Sequence, residues 1–84
     1  MLIEDRIIAA IKMFEDRLDK ERMSWALDCV EHNEAGLAID TLADLLGDHD
    51  VRLTPAEFDE LQTLAKLTAS DLSRVSFLAD QVRE

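Results

Sequence analysis

The stretch TPAEFDELQTLAKL, residues 54–67, has the sequence signature of one complete α-helix. Thr54 and Glu57 have the spacing of a capping box, in which each side chain accepts a hydrogen bond from the other residue's backbone N–H. Pro55 suits the first helical position, where a backbone N–H is not needed. Apolar residues then follow at helical spacing: Phe58, Leu61, Leu64 and Ala65. The stretch therefore predicts a helix that begins after Thr54 and ends near residue 67.

The same spacing of apolar residues predicts further helices on both sides of this one. Their expected ranges are about 3–18, 20–32 and 34–46, with a last helix that begins at Ser70 or Asp71. The apolar stripe of the last helix comprises Leu72, Val75, Leu78, Ala79 and Val82. With only two glycines and one proline, the chain predicts a single all-α domain over residues 1–84, a compact bundle of four to five short helices.

Two residues have the chemistry of helix C-termini. Asn33 tolerates the left-handed conformation that follows many helices, and Gly47 lies where a C-terminal cap glycine is expected. A connector over residues 47–53 would then join the third and fourth helices.

The N-terminus and the cysteine content bear on the compartment. Cys29 is the single cysteine, so an intramolecular disulfide is excluded. The first residues include Glu4 and Asp5 instead of the basic start of a signal peptide, and the longest apolar run there covers only residues 7–11. We therefore expect a cytoplasmic protein that does not contact a membrane.

The acidic charge is concentrated in the middle of the chain. The net charge is −10, and residues 28–60 hold ten acidic residues against one basic residue, Arg52. Binding to nucleic acid requires Lys and Arg at the phosphates, so direct contact with DNA or RNA is not expected. A basic protein is the complementary partner.

Three aspartates of this segment, Asp40, Asp44 and Asp48, lie at positions where a negative charge does not stabilise a helix. Asp40 and Asp44 are like charges four residues apart, and Asp44 and Asp48 approach the negative end of the helix dipole. Either a tertiary cation such as Lys66 or Arg74 neutralises them, or they contact a partner. The predicted partner-binding residues are Trp25, Asp40, Asp44, Asp48, Asp50, Asp59 and Glu60.

Catalytic and cofactor chemistry is weakly represented. Cys29 and His32 could share a helix face, but Cys29 lies beside the predicted core stripe, where an inert thiol is usual. His32 and His49 lack a dense ligand spacing, and the residues that follow Asp48 do not match a calcium loop. The SDLS at 70–73 is a shuffled form of the Asp-Ser-Leu motif of acyl carrier proteins. We expect no catalytic residue, no metal and no cofactor.

The run EHNEAGLAIDTLADLLGDHDVRLTPAEFDEL, residues 31–61, resembles the MafI-like immunity proteins of bacterial polymorphic toxin systems. Both have a turn of small residues, a helix with acidic positions, an acidic connector, and a helix opened by Ser or Thr. The resemblance implies a small protein that binds and neutralises a cognate toxin, often a nuclease. A regulatory or scaffolding helical module that self-associates or binds a partner helix is the alternative, and the sequence leaves homodimerisation open.

Overall fold

The structure, a computed structural model, describes residues 2–70 and 72–83. Within these residues the chain forms five α-helices followed by a short 3-10 helix, which confirms the predicted all-α bundle. The elements are α1 (Ile3–Lys12), α2 (Lys20–Glu31), α3 (Ala35–Asp48), α4 (Pro55–Leu67), α5 (Leu72–Ser76) and the 3-10 helix (Phe77–Gln81). Asp71, one of the two residues predicted to open the last helix, lies outside the described residues.

Helix α3 is the centre of the bundle. It packs against α1, α2, α4, α5 and the 3-10 helix, and its buried residues are Ala38, Ile39, Leu42, Ala43, Leu45 and Leu46. The outer helices form a ring in the order α2, α1, α4, α5, because each one packs on the next. Among the described residues, α2 and α5 do not pack extensively on each other. The ring is therefore open on one side, and α3 forms the floor of that opening.

Helix α4 begins as its sequence predicts. The backbone N–H of Glu57 donates to Thr54 Oγ1 at 3.1 Å, and the backbone N–H of Thr54 donates to Glu57 Oε1 at 2.9 Å. The capping box is therefore formed, with Pro55 at the first helical position. Leu61 and Leu64 are fully buried against the core, as their spacing requires.

Helix α1 ends at Lys12, six residues before the predicted end at Leu18. The backbone N–H of Arg17 donates to the carbonyl of Phe14 instead of that of Met13, which tightens the chain into turns. The freed carbonyl of Met13 accepts instead from the Arg17 guanidinium at 2.8 Å. Phe14 and Leu18 are nevertheless buried. The predicted apolar face was therefore correct, although the predicted range of the helix was too long.

The end of α3 corrects the prediction for Gly47. The helix continues through this glycine to Asp48, and neither glycine of the chain has a positive φ. Asp50 instead adopts the left-handed conformation, with φ of 50°. The backbone N–H of Val51 then donates to the carbonyl of Leu46 at 3.1 Å, which closes a Schellman motif.

Two further helices end in the same way. Asn33 follows α2 with φ of 60°, as predicted, and Ala69 follows α4 with φ of 56°. In each case the next backbone N–H donates five residues back, from Glu34 to Cys29 and from Ser70 to Ala65. Left-handed residues other than glycine therefore terminate α2, α3 and α4.

Replacing Gly47 with alanine is expected to raise the free energy of unfolding by about 0.5–1 kcal/mol, because glycine is unfavourable inside a helix. A Cβ at this position would lie 3.9 Å from Leu78 Cδ2, an ordinary contact distance. Chemical denaturation of the variant would measure the gain. Gly36 is the control, since a Cβ there would lie 3.1 Å from the Thr68 carbonyl oxygen and should give a smaller gain or a loss. A loss at Gly47 would instead indicate the left-handed cap.

The C-terminal helix also differs from its prediction. After Ser76 the chain tightens to a 3-10 helix, and Val82 is extended, where it pairs with Leu53 in an isolated parallel β-bridge. A 3-10 helix has about three residues per turn, so the buried positions become Val75 and Leu78 while Ala79 is exposed. The predicted stripe was therefore wrong at Ala79, and Leu72 is also largely exposed.

Candidate partner-binding face

Helices α2 and α3 form an antiparallel pair whose register is fixed by two contacts. Arg22 Nη1 lies 2.6 Å from His49 Nε2, and Cys29 Sγ lies 4.0 Å from Thr41 Oγ1. Trp25 is three residues after Arg22 and four before Cys29, so these three residues share one face of α2. Trp25 therefore lies along the α2–α3 seam, level with the second half of α3, and 50% of its surface is exposed.

The side of α3 that faces the opening between α2 and α5 carries four residues at helical spacing, Leu37, Asp40, Asp44 and Asp48, which we call the α3 stripe. Leu37 is 51% exposed, Asp44 and Asp48 are exposed, and Asp40 is half-buried. The stripe combines one apolar side chain with three carboxylates. Trp25 borders it from α2.

Asp44 has a tertiary cation, one of the alternatives left open by the sequence. Arg74 Nη1, on α5, lies 2.6 Å from Asp44 Oδ2. Both side chains are about half exposed, so the ion pair stabilises the fold by no more than about 1 kcal/mol. The pair places α5 at the second border of the α3 stripe.

Asp40 and Asp48, unlike Asp44, have no ion pair with a described residue that would account for their charge. Asp40 Oδ1 is buried without a hydrogen-bond partner among the described residues. Asp48 is the last residue of α3, where the helix dipole disfavours a negative charge, and it forms no ion pair within the described chain. Neither carboxylate contributes an evident stabilising contact to the fold.

The other predicted acids lie elsewhere. Glu60 Oε1 accepts from Arg6 Nη2 at 2.7 Å, so this side chain joins α4 to α1. Asp59 is exposed on α4, which does not border the opening. Asp50 lies in the connector, where its left-handed turn gives it a structural role. Of the seven predicted residues, those that border the opening are Trp25, Asp40, Asp44 and Asp48.

The acidic middle segment remains largely unneutralised after folding. Of its ten acids, Asp44, Glu57 and Glu60 form ion pairs with arginines. The acids of residues 28–60 that form no ion pair with a described residue are Asp28, Glu31, Glu34, Asp40, Asp48, Asp50 and Asp59. A surface with this excess attracts cations and basic proteins.

One ion pair of this segment has a purely structural role. Arg17 donates to both carboxylate oxygens of Glu57, at 2.9 and 2.7 Å, and to the carbonyl of Arg52 at 3.0 Å. The hydrogen bond to Arg17 holds the pKa of the Glu57 carboxyl below its ordinary value. The same bond raises the pKa of Arg17. These contacts fix the turn after α1 against the start of α4.

A second concave surface, which the sequence did not reveal, lies near the C-terminus. An open cleft of about 490 Å³ is lined by Asp50, Arg52, Phe77, Asp80, Gln81 and Arg83. Its two aspartates and two arginines balance, and Phe77 is 79% exposed beside them. Gln81 Nε2 donates to the carbonyls of Leu46 and Val51, which fixes the cleft against the end of α3. The cleft lacks the excess charge of the α3 stripe.

The structure does not join the remaining reactive residues into a site. Cys29 is half-buried and contacts Thr41, while His32 Nδ1 bonds to the backbone carbonyl of Asp28 at 2.7 Å. That hydrogen bond raises the pKa of His32. Within the described ranges, no three His, Cys, Asp or Glu residues are grouped to hold a metal. No helix there is long and apolar enough to cross a membrane.

Comparison of the chain with protein-family models, with curated proteins and with solved structures finds no match.

Proposed function

We propose that the protein is a bacterial immunity protein of the MafI-like kind, which binds and neutralises a basic toxin domain in the cytoplasm. The observation that carries the proposal is the α3 stripe, where Asp40 and Asp48 form no ion pair with a described residue on the open side of the central helix. Trp25, a residue type enriched among interface hot spots, borders the same opening. Acidic and apolar groups of this kind suit a basic protein surface better than a small molecule.

The position of these acids supports binding over stability. A carboxylate at the C-terminal end of a helix is unfavourable by about 0.3–1 kcal/mol, and a buried carboxylate oxygen without a donor is also unfavourable. Asp48 and Asp40 have these two features respectively. A cationic partner would supply positive charge beside both carboxylates, while the enclosed Oδ1 of Asp40 stays out of reach of its donors.

The mechanism we propose is occlusion, without chemistry on this chain. The negative field of the middle segment would steer a basic toxin into contact, at association rates up to about 10⁸ M⁻¹s⁻¹ at low salt. The half-exposed side chains Trp25 and Leu37 would then supply the desolvated contacts on which affinity depends. The bound protein would cover the toxin surface that its own substrate needs.

Reversal of charge on the α3 stripe tests the proposal. The variant Asp44→Lys/Asp48→Lys is expected to bind the toxin domain encoded immediately upstream at least about tenfold more weakly, since each reversal replaces attraction with repulsion. Calorimetric titration measures the affinity, and growth of cells that express both proteins measures protection. Affinity should also fall as salt rises.

The matched control is Asp5→Lys/Glu15→Lys, which changes the net charge equally at two exposed residues outside the middle segment. This variant should retain affinity within about twofold, because exposed charges beyond a Debye length are screened. Thermal unfolding verifies that both variants fold. Full protection by a folded Asp44→Lys/Asp48→Lys variant would exclude the α3 stripe as the binding face. The absence of any protection by the unmodified chain would exclude the immunity function.

A further inference from the structure

The exposed face of α3 lies between α2 and α5, two helices that do not pack extensively on each other within the described residues. On its other sides α3 is covered by the outer helices, but between α2 and α5 its stripe faces solvent. The two borders of the opening are defined by contacts: Cys29 joins α2 to Thr41, and Arg74 joins α5 to Asp44. An element that filled the opening would complete the ring around α3.

We propose that the occupant is a basic amphipathic helix of the partner protein, an inference that rests on the proposed immunity function and names the element that α3 recognises. The floor and both borders of the opening are helical, and helices offer no free ladder of N–H and C=O groups along their length. A strand buried there would leave its own backbone unpaired, whereas a helix satisfies its backbone internally. Docking of an amphipathic helix into a groove is an established mode of recognition.

The spacing of the acids defines the polar face of that helix. Asp40, Asp44 and Asp48 follow one another at intervals of four residues, so each is about 6 Å further along α3. Lys or Arg residues at the same interval on a partner helix would meet them in register. Asp40 Oδ1 is enclosed by the described chain, so a partner cation would be attracted by the charge of Asp40 without a hydrogen bond to this oxygen. Asp44 would share its charge between Arg74 and the partner.

The two exposed apolar side chains, Leu37 and Trp25, define the length of the partner helix. Leu37 lies at the first end of the α3 stripe, and the register of α2 against α3 places Trp25 level with the other half. From Leu37 to Asp48 the stripe covers 11 residue steps, which amounts to about 16 Å. The partner helix therefore needs roughly three turns, with apolar side chains at both ends and cations between them.

The probe for this inference is a synthetic helical peptide of roughly 15 residues, with three lysines at intervals of four and leucines at both ends of the same face. Trp25 is the sole tryptophan, so its fluorescence reports occupancy directly. We expect the Trp25 emission to shift and to reach saturation as the peptide is added. The variant Asp40→Asn/Asp48→Asn should weaken binding by about tenfold, because it removes two charge pairs while keeping side-chain shape. The control Asp5→Asn/Glu15→Gln, with the same change in net charge, should stay within about twofold.

A peptide of identical composition with its lysines scattered around the helix provides the second control. Equal binding of this peptide would overturn the inference, since it would reveal unspecific charge attraction. The absence of a Trp25 response to the amphipathic peptide would also overturn it. Concentration-dependent dimers in sedimentation that disappear in Trp25→Ala would assign the opening to a second copy of the chain instead.

Different results would exclude the two proposals, helix binding in the opening over α3 and the immunity function. If the chain protects against the toxin and Asp40→Asn/Asp48→Asn protects equally well, the helix-binding groove is excluded and the immunity function stands. If the peptide binds as expected but the chain gives no protection, the function is excluded and the groove stands.

Discussion

Replacing Phe14 with alanine is expected to lower the free energy of unfolding by about 3–5 kcal/mol, the cost of a large cavity in a well-packed core. Phe14 is fully buried, and the centroid of its ring lies 4.7 Å from the Arg17 guanidinium carbon. A domain of 84 residues has a total stability of about 4–13 kcal/mol. The expected loss is therefore a large fraction of the total stability, and the variant should unfold at a clearly lower temperature.

Phe77 provides a matched control, since it is the same residue type in an exposed position. Phe77→Ala removes the same side chain where 79% of its surface is in solvent, and we expect a change of no more than about 0.5 kcal/mol. Urea denaturation of both variants, followed by circular dichroism, measures the difference. Similar losses for the two would contradict the placement of the turn after α1 against the core.

Replacing Arg17 with methionine is expected to lower the free energy of unfolding by about 2–3 kcal/mol at pH 7, because hydrogen bonds to charged groups are among the stronger ones. Arg17 binds both oxygens of Glu57, whose side chain is only 13% exposed, and it also binds the carbonyls of Met13 and Arg52. Methionine retains much of the apolar stem but has no donors. The loss should be coupled to Glu57.

A double-mutant cycle over pH isolates this coupling. Glu57→Gln keeps an oxygen for the capping box, and the double variant with Arg17→Met closes the cycle. The pKa of Glu57 is lowered in the folded protein from its ordinary value of 4.5, so the ion pair stabilises the fold above that pH. The contribution is lost as pH falls through the lowered pKa. A coupling energy that persisted unchanged at pH 2 would show that packing, and not charge, joins the two residues.

The fold could be predicted where the determinants were local. The capping box of Thr54 and Glu57 needs only residues three apart, and it formed as expected. The left-handed Asn33 was found because asparagine tolerates that conformation on its own. The buried faces of α1 to α4 followed largely from spacing, whereas the stripe predicted for the last helix did not hold at Leu72 and Ala79.

Prediction was wrong where a distant contact decided the outcome. The early end of α1 coincides with the capture of the Met13 carbonyl by Arg17, which is itself held by Glu57 40 residues away. Gly47 looked like a cap because nothing nearby shows that α3 continues, whereas Asp50 ends it through a bond from Val51 to Leu46. Burial of Val51 and Leu53 in the connector depends likewise on packing that no local pattern encodes.

The candidate site was predicted in part. Charge and helix position indicated Asp40, Asp44 and Asp48, and all three line one side of α3. The sequence could not separate them from Glu60, because the ion pair with Arg6 joins residues 54 positions apart. The opening between α2 and α5, which distinguishes the α3 stripe from the other acids, is a property of the assembled bundle only.

The left-handed turns after α2, α3 and α4 determine which substitutions this sequence can accept at three positions. Asn33, Asp50 and Ala69 hold conformations that glycine adopts without strain, so each position should accept glycine and reject valine, isoleucine or threonine. Lineages could therefore acquire or lose glycines at these points while the backbone stays the same. Glycine spacing, usually a durable mark of shared ancestry, would then be a poor guide to the relatives of this protein.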